Sequence, residues 1–342
     1  MSSLLFSPLK IRDVVFRNRV FVSPMCQYSA KDGLPNAWHL VHLGSRAVGG
    51  AGLVMVEASA VCPDGRISDG DTGIWNDDQK EAFKPIVQFL KSHGSVPGIQ
   101  LAHAGRKAAT EGQAIAPSAV AFSAKYSVPK AMTESDMDQL VAQFARAVER
   151  SRDAGFELIE IHMAHGYLLH EFLSPLSNQR TDHYGGSLEN RMRLPLRVAQ
   201  SVRELWPKTL PVFVRISASD WVANAWDLEQ SLIFARELKM KDIDLIDCSS
   251  GGSSPDAQIP EGPAYQVPFA AAIRKETGVR TGAVGKITDA VQAEEILRSG
   301  KADVIFIGRE SLRHPYWPLH AARTLGADSV WPRQYLRAPI TE

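Results

Sequence analysis

The chain of 342 residues is short of cysteine, has no charge imbalance and lacks any long apolar run. Its three cysteines, Cys26, Cys62 and Cys248, are odd in number and widely spaced. They build neither a disulfide framework nor a four-thiolate metal or iron–sulfur site, so reduced thiols are expected. Lysine plus arginine equal aspartate plus glutamate at 38 each, which removes the massed basic face of a nucleic-acid binder. No stretch approaches the roughly 18 apolar residues of a membrane span, and no apolar core follows a basic start at the N-terminus. A cytoplasmic protein with neither nucleic-acid nor membrane partners is the expectation. No GxGxxG follows a strand pattern and no GxxxxGK[ST] occurs, so the common dinucleotide and nucleotide loops are absent.

What is there is alternation. Short β-branched, apolar runs at 20–24, 52–56, 97–101, 158–162, 212–216, 245–248, 280–284 and 304–307 are separated by amphipathic stretches. That is the pattern of parallel β/α units, and about eight of them make a (β/α)8 TIM barrel, an α/β fold in one domain. Helices are expected near 77–93, 188–205, 228–239, 267–277 and 289–299. Another begins at Thr133, where Asp136 can complete a capping box ahead of Leu140, Val141, Phe144 and Val148. No Pro/Gly/Ser linker or repeat divides the chain, which reads as a single domain over 1–342. The irregular stretch 108–132 follows the third strand and reads as an excursion over the active-site face.

The unusual residues fall at the C-terminal ends of these strands, the catalytic face of such a barrel. Pro24, Met25 and Cys26 follow the first strand and Glu57 with Ala58 the second. Gln100 and His103 close the third, and His162, His165 and Tyr167 follow the fourth. Arg215 interrupts an apolar fifth strand; a buried arginine needs a carboxylate such as Glu57 or Asp220, or a ligand carrying negative charge. Glycines gather late, at Gly251, Gly252, Gly282, Gly285 and Gly308, with Arg309 beside the last. The loops after strands seven and eight are the usual phosphate cradle, so a phosphorylated ligand is implied.

Two imidazoles three residues apart, in HMAHGYLLHEF, can hydrogen-bond one oxygen. Taken alone they also read as satisfied core histidines. A zinc site with His170 or Glu171 as third ligand is the rival, without the HExxH order or a cysteine partner, and no metal is expected. Tyr167, a weak acid, can give a proton to a carbanion. Cys26 by itself reads most simply as an inert buried thiol.

Assembled, these residues resemble the old yellow enzyme family, in particular its cysteine-containing, thermophilic-like ene-reductase branch. The resemblance runs through SPMCQYSA at 23–30, EASAVCPDGRIS at 57–68, QLAHAGRKA at 100–108, the segment 162–191, RISASDW at 215–221, SSGG at 249–252, GAVGKIT at 282–288 and IFIGRESLRHPYWPLHAA at 305–322. It implies tightly but non-covalently bound FMN, held by Ser23, Pro24, Met25, Cys26, Ala58, Gln100 and Arg215 at the ring and by Gly285, Gly308 and Arg309 at the phosphate, with Ser249, Ser250 and Gln266 assisting. Cys26 would tune the flavin near N5. Tyr28, His162 and His165 would grip the substrate's carbonyl or nitro oxygen, and Tyr167 would donate the proton. The implied reaction is reduction of FMN by NADPH, or NADH, followed by hydride transfer from flavin N5 to the β-carbon of an activated alkene such as an enone, nitroalkene or maleimide.

The resemblance further implies a homodimer or homotetramer in which the C-terminal segment 327–342 lies at a subunit interface and Arg337 reaches a neighbouring site. Two departures stand out. Lys286 replaces an apolar residue and reads either as a supplement to the phosphate charge or, slightly favoured, as solvated; Asn224-Ala225 replaces glycines, implying a stiffer loop. A non-redox phosphate-binding barrel isomerase or lyase, with Glu57 or Glu160 as base, is the alternative reading.

Overall fold

A computed structural model of the chain describes residues 2–338. Eight parallel strands close into a barrel: β1 (Val20–Val22), β2 (Leu53–Ala60), β3 (Val96–Ala102), β4 (Leu158–Met163), β5 (Val212–Ser217), β6 (Leu245–Ser249), β7 (Arg280–Ala283) and β8 (Val304–Ile307). The strand order follows the chain, and β8 returns to pair with β1 through Ile305 and Val20. The expected strands are therefore all present. β2 runs further than its apolar core suggests, because a register shift between Val56 and Ala58 lets it continue beside β3. That irregularity places Glu57 and Ala58 inside the strand rather than after it, and such bulges re-aim side chains at a barrel rim.

Helices follow each strand: α1 (Ala37–Val48), α2 (Asp77–Ser92), α3 (Glu134–Asp153), α4 (Leu168–Leu173), α5 (Leu188–Leu205), α6 (Leu228–Met240), α7 (Val267–Thr277), α8 (Ala290–Arg298), α9 (Arg309–Arg313) and α10 (Trp317–Thr324). Asn36, Asn76, Thr133, Ser187, Asp227 and Asp289 cap six of them, each side chain accepting from a backbone N–H of the first turn. At Thr133 the capping box is complete: Asp136 N donates to Thr133 Oγ1 (3.2 Å) and Thr133 N to Asp136 Oδ2 (2.8 Å).

Two apolar bodies hold this together. The larger lies between the strands and the helical ring; the smaller fills the lower barrel with Phe21, Leu53, Met55, Leu158, Phe213, Leu245 and Phe306. Beneath it an antiparallel hairpin, Leu9–Ile11 with Val14–Phe16, covers the open end. Its Phe16 ring sits 4.7 Å from that of Phe21, centroid to centroid. This end is thus plugged among the described residues.

The 108–132 stretch carries a minimal parallel pair, Ile115–Ala116 with Lys130–Ala131. Arg180 secures it by donating to the carbonyls of Pro117 (2.9 Å) and Met132 (2.6 Å). Asn224 adopts φ +58°, the left-handed conformation that asparagine tolerates better than most residues. The loop keeps a glycine-like turn at this position although the glycine is replaced. No helix among the described residues is long and apolar enough to cross a membrane. Arg337 is exposed, and residues 339–342 of the expected interface segment lie outside the described residues.

Candidate functional site

At the C-terminal face a cavity of about 460 Å³ opens among the strand ends. Its lining brings together Ser23, Pro24, Met25, His165, Arg215, Gly285, Gly308 and Arg309, with Ser249 and Gln266 beside them, all expected from sequence. Cys26, Tyr28, Ala58, Gln100, His162 and Tyr167 stand outside this lining. His162 and Tyr167 nevertheless adjoin it through His165: the His162 ring lies edge-on to both, at centroid separations of 5.2 Å from His165 and 5.1 Å from Tyr167. Tyr28, by contrast, is 67% exposed and takes φ +52°, so its placement gives the substrate role no support from within this chain.

The histidines are neutral donors and acceptors rather than cations. Burial, with Arg215 nearby, holds both well below the usual imidazole range. His162 Nδ1 accepts from Ala164 N at 3.3 Å, which leaves its proton on Nε2. His165 Nε2 lies 2.7 Å from Ser249 Oγ, so a hydroxyl of the chain itself occupies the position of an oxygen partner. His165 stands in a left-handed turn, φ +61°. Burial also raises the Tyr167 phenol far above its ordinary range, so it keeps its proton.

Lys107, which sequence reasoning passed over, braces this corner. Its ammonium donates to the carbonyls of His165 (2.9 Å) and Gly252 (3.1 Å) and sits over the rings of Phe122 and Tyr167. It lies in QLAHAGRKA, and a lysine two residues past a strand-end loop glycine was the available signal. Phe122 belongs to the 108–132 excursion, which thus meets the site through Lys107.

Arg215 pairs with neither Glu57 nor Asp220. Its Nε lies 3.2 Å from Asp247 Oδ2 on the adjacent strand, in an alignment that leaves the Nε–H without a hydrogen bond. Neighbouring strands put Asp247 directly opposite Arg215, a register that the sequence alone does not reveal. Asp220 instead pairs with His170 (3.1 Å), and Glu57 with His39 (3.0 Å) while accepting from Gln27 N (2.7 Å).

These pairings dissolve the zinc arrangement, since Glu171 also accepts from Arg106 N at 2.8 Å. The compact group of ligand-type atoms found among the described residues is Cys26, Glu57 and Asp71, all within 4.8 Å of one another. Glu57 is already committed there, and burial with the two carboxylates holds the Cys26 thiol well above its ordinary range. Cys26 is a protonated, half-buried thiol.

The far end of the cavity is cationic and glycine-lined. Gly285, at φ +116°, would place a Cβ 2.7 Å from Gln266 Nε2. Gln266 is fixed by Ser250 Oγ (2.6 Å) and the Val284 carbonyl (3.0 Å). Lys286, Arg309 and Arg313 join Gly308 in the lining. Lys286 is exposed and also belongs to the cavity wall, a placement compatible with both readings, solvation and added phosphate charge. Arg313 was missed, although it falls on the same helical face as Arg309 at i+4.

These features fit FMN. A cavity of this size holds a drug-sized ligand. Buried Ser23 Oγ and Arg215 Nε lack hydrogen bonds at its inner end, where a polar ring edge would supply them. Glycine backbone and three cations at the outer end suit a phosphate.

The family model described as the NADH:flavin oxidoreductase / NADH oxidase family matches residues 4–327. The chain is 50% identical over 339 residues to a protein named NADPH dehydrogenase from Geobacillus sp. (strain WCH70), covering 98% of this chain and 99% of that one. Among solved structures, morphinone reductase superposes with a TM-score of 0.82 at 26% identity, over 96% of this chain and 91% of its own. A 2-naphthoyl-CoA reductase complex superposes with a TM-score of 0.88 at 22% identity, a likeness of fold. The match covers 95% of this chain but 52% of that protein, about half its length.

Proposed function

The chain belongs to the NADH:flavin oxidoreductase / NADH oxidase family, and from that membership we propose that it is an NADPH-dependent ene-reductase acting on activated alkenes. Membership makes it an FMN-dependent oxidoreductase of the old yellow enzyme type; the choice of alkene substrates and of NADPH is our reading. NADPH is favoured by the name of the half-identical Geobacillus relative. NADH is the second reductant to compare.

FMN, when bound, supplies two-electron chemistry between the nicotinamide and the alkene. Ser23 to Met25 with Arg215 would hold its ring, and Gly285, Lys286, Gly308 and Arg309 its phosphate. The observation that carries the alkene reading is the edge-on cluster of neutral His162, His165 and protonated Tyr167 beside the cavity. His162 Nε2–H and the His165 imidazole, released from Ser249, would donate to the carbonyl or nitro oxygen and stabilise negative charge as it develops there. Tyr167, holding its proton, would give it to the α-carbon. Cys26 is positioned as a neutral thiol beside Met25 and would act on the ring's surroundings rather than as a nucleophile.

The non-redox isomerase or lyase reading needs a carboxylate base facing the cavity. Glu57 is held by His39 and Gln27, and Glu160 points at Gln100. Neither lines the cavity.

The test is optical. Purified protein should be yellow, NADPH should bleach it without oxygen, and 2-cyclohexenone or a maleimide should restore the colour. Protein that takes up no FMN, or reduced protein that no activated alkene reoxidises, would overturn the proposal.

A further inference from the structure

Below the cavity floor lies a second set of polar groups that the reaction above does not use. Gln100 Nε2 donates to Glu160 Oε1 at 2.7 Å. Glu160 has no exposed surface and its Oε2 has no partner. Across β5, Arg215 reaches Asp247 at 3.2 Å, and Asp247 is equally inaccessible. The charged groups acting on Glu160 are Asp247 and Arg215; Gln100 is a neutral donor.

Charge arithmetic in this dry interior decides the protonation. One guanidinium against two ionised carboxylates leaves a net negative charge without compensation, which burial penalises heavily. One proton is therefore retained. Asp247 is the carboxylate nearest the guanidinium, whereas Glu160 has only an amide. Burial and the charge of Asp247 push Glu160 up to about 8, while Arg215 restrains Asp247, which burial lifts to about 6.

We propose that Glu160 is a positioning residue that keeps its proton at neutral pH, fixing the Gln100 amide and leaving the Arg215–Asp247 layer beneath the cofactor electrically balanced. The inference rests on FMN occupying the cavity above, as proposed. When Glu160 ionises, its proton leaves to solvent and a negative charge remains under the ring. Gain of electrons by bound FMN then becomes less favourable, so reduction should be hindered on the alkaline side.

The test reads the carboxyl directly, by infrared spectroscopy of the FMN-loaded protein across a pH range of roughly 6 to 10, bracketing the raised value. Wild type should show a protonated-carboxyl carbonyl band at neutral pH that fades with a midpoint near 8. Glu171, also lifted to about 8 by burial, contributes its own band, so Glu171→Gln serves as the background. Glu160→Gln should remove the remainder, and with it any change in the visible absorption of bound FMN over the same range. A Glu160→Gln spectrum identical to wild type would overturn the proposal, as would a band lost in Asp247→Asn but kept in Glu160→Gln. Should Glu160→Gln fail to fold, Asp247→Asn decides: removing the like charge must shift the midpoint to lower pH, a rise of at least severalfold in proton concentration, and no shift refutes the assignment. These bands are read without turnover, so an enzyme that binds FMN yet reduces no alkene would refute the proposed substrate while leaving Glu160 testable.

Discussion

His162 and His165 do different jobs although they are the same residue type three positions apart. His162 is buried at the end of β4 with its Nδ1 satisfied by backbone, so its tautomer is set before any substrate arrives. His165 stands on a left-handed turn with its Nε2 on Ser249, so a substrate must displace a hydroxyl to engage it. Asparagine at either position should therefore slow enone turnover unequally. His162→Asn should cost about 10²-fold, the scale of one lost oxyanion donor. His165→Asn should cost less, because Ser249 offers a substitute hydroxyl. Tyr167→Phe should slow reoxidation by the alkene by about 10²-fold or more, the scale of a lost proton donor, and leave reduction by NADPH unchanged. Stopped-flow measurement of the two half-reactions separates these outcomes; equal slowing of both halves by Tyr167→Phe would remove it from the proton step.

At the scale of elements, the site depends on backbone meeting backbone. The loop after β4 and the loop after β6 touch so closely that a Cβ on Gly252 would come within 2.6 Å of His165 Cα, and one on Gly166 within 2.1 Å of the Gly252 carbonyl oxygen. Lys107 ties the same two loops through their carbonyls. Gly186 provides the comparison, since it also has positive φ, at +76°, yet a Cβ there meets nothing within 4 Å. Gly186→Ala should cost only the conformational strain, about 1–2 kcal/mol in urea unfolding. Gly252→Ala should cost more than that and also lower turnover, by moving His165. Equal costs in the two variants would show that the loop contact does not position the histidine. Such contacts explain what was legible beforehand. Strands, most helices and the Thr133 cap rest on local periodicity, which sequence displays. The partner of Arg215, the Ser249 bond of His165 and the brace of Lys107 arise from barrel register and loop packing between residues 32 to 145 positions apart, and no local pattern encodes them. The hairpin under the barrel escaped for a simpler reason: its strands are three residues each, too short to show alternation. α1 escaped as well: Asn36 caps it, but a first turn holding Trp38 and His39 carries no acidic residue to reinforce the start signal.

Across the whole molecule, buried titratable groups give stability a pH dependence whose sign follows from the direction in which each is displaced. His42 is lowered to about 3 and His103 to about 4 by burial, and His162 and His165 are also held well below the usual value of 6.5. Below about 6.5 the unfolded chain binds protons that the folded chain refuses, so stability falls as pH falls. Glu160 and Glu171 are lifted from 4.5 to about 8. Between those values the folded chain holds protons that the unfolded chain releases, so stability falls as pH rises. Asp247 adds to that second trend up to about 6. Between 4.5 and 6.5 the four histidines outnumber these carboxyls and the net slope is upward; between about 6.5 and 8 the two glutamates dominate and it turns downward, before Lys107, lowered to about 8 by burial, begins to oppose them. The melting temperature should therefore peak between about pH 6 and 7, since each tenfold difference in a group's proton affinity between folded and unfolded chain is worth on the order of 1 kcal/mol. Glu171→Gln should flatten the fall from about pH 7 to 8 while leaving the acid side in place, and His42→Gln should do the reverse. Calorimetry of the three proteins across this pH range checks both signs at once, and an alkaline limb unchanged by Glu171→Gln would show that this carboxyl is ionised in the fold.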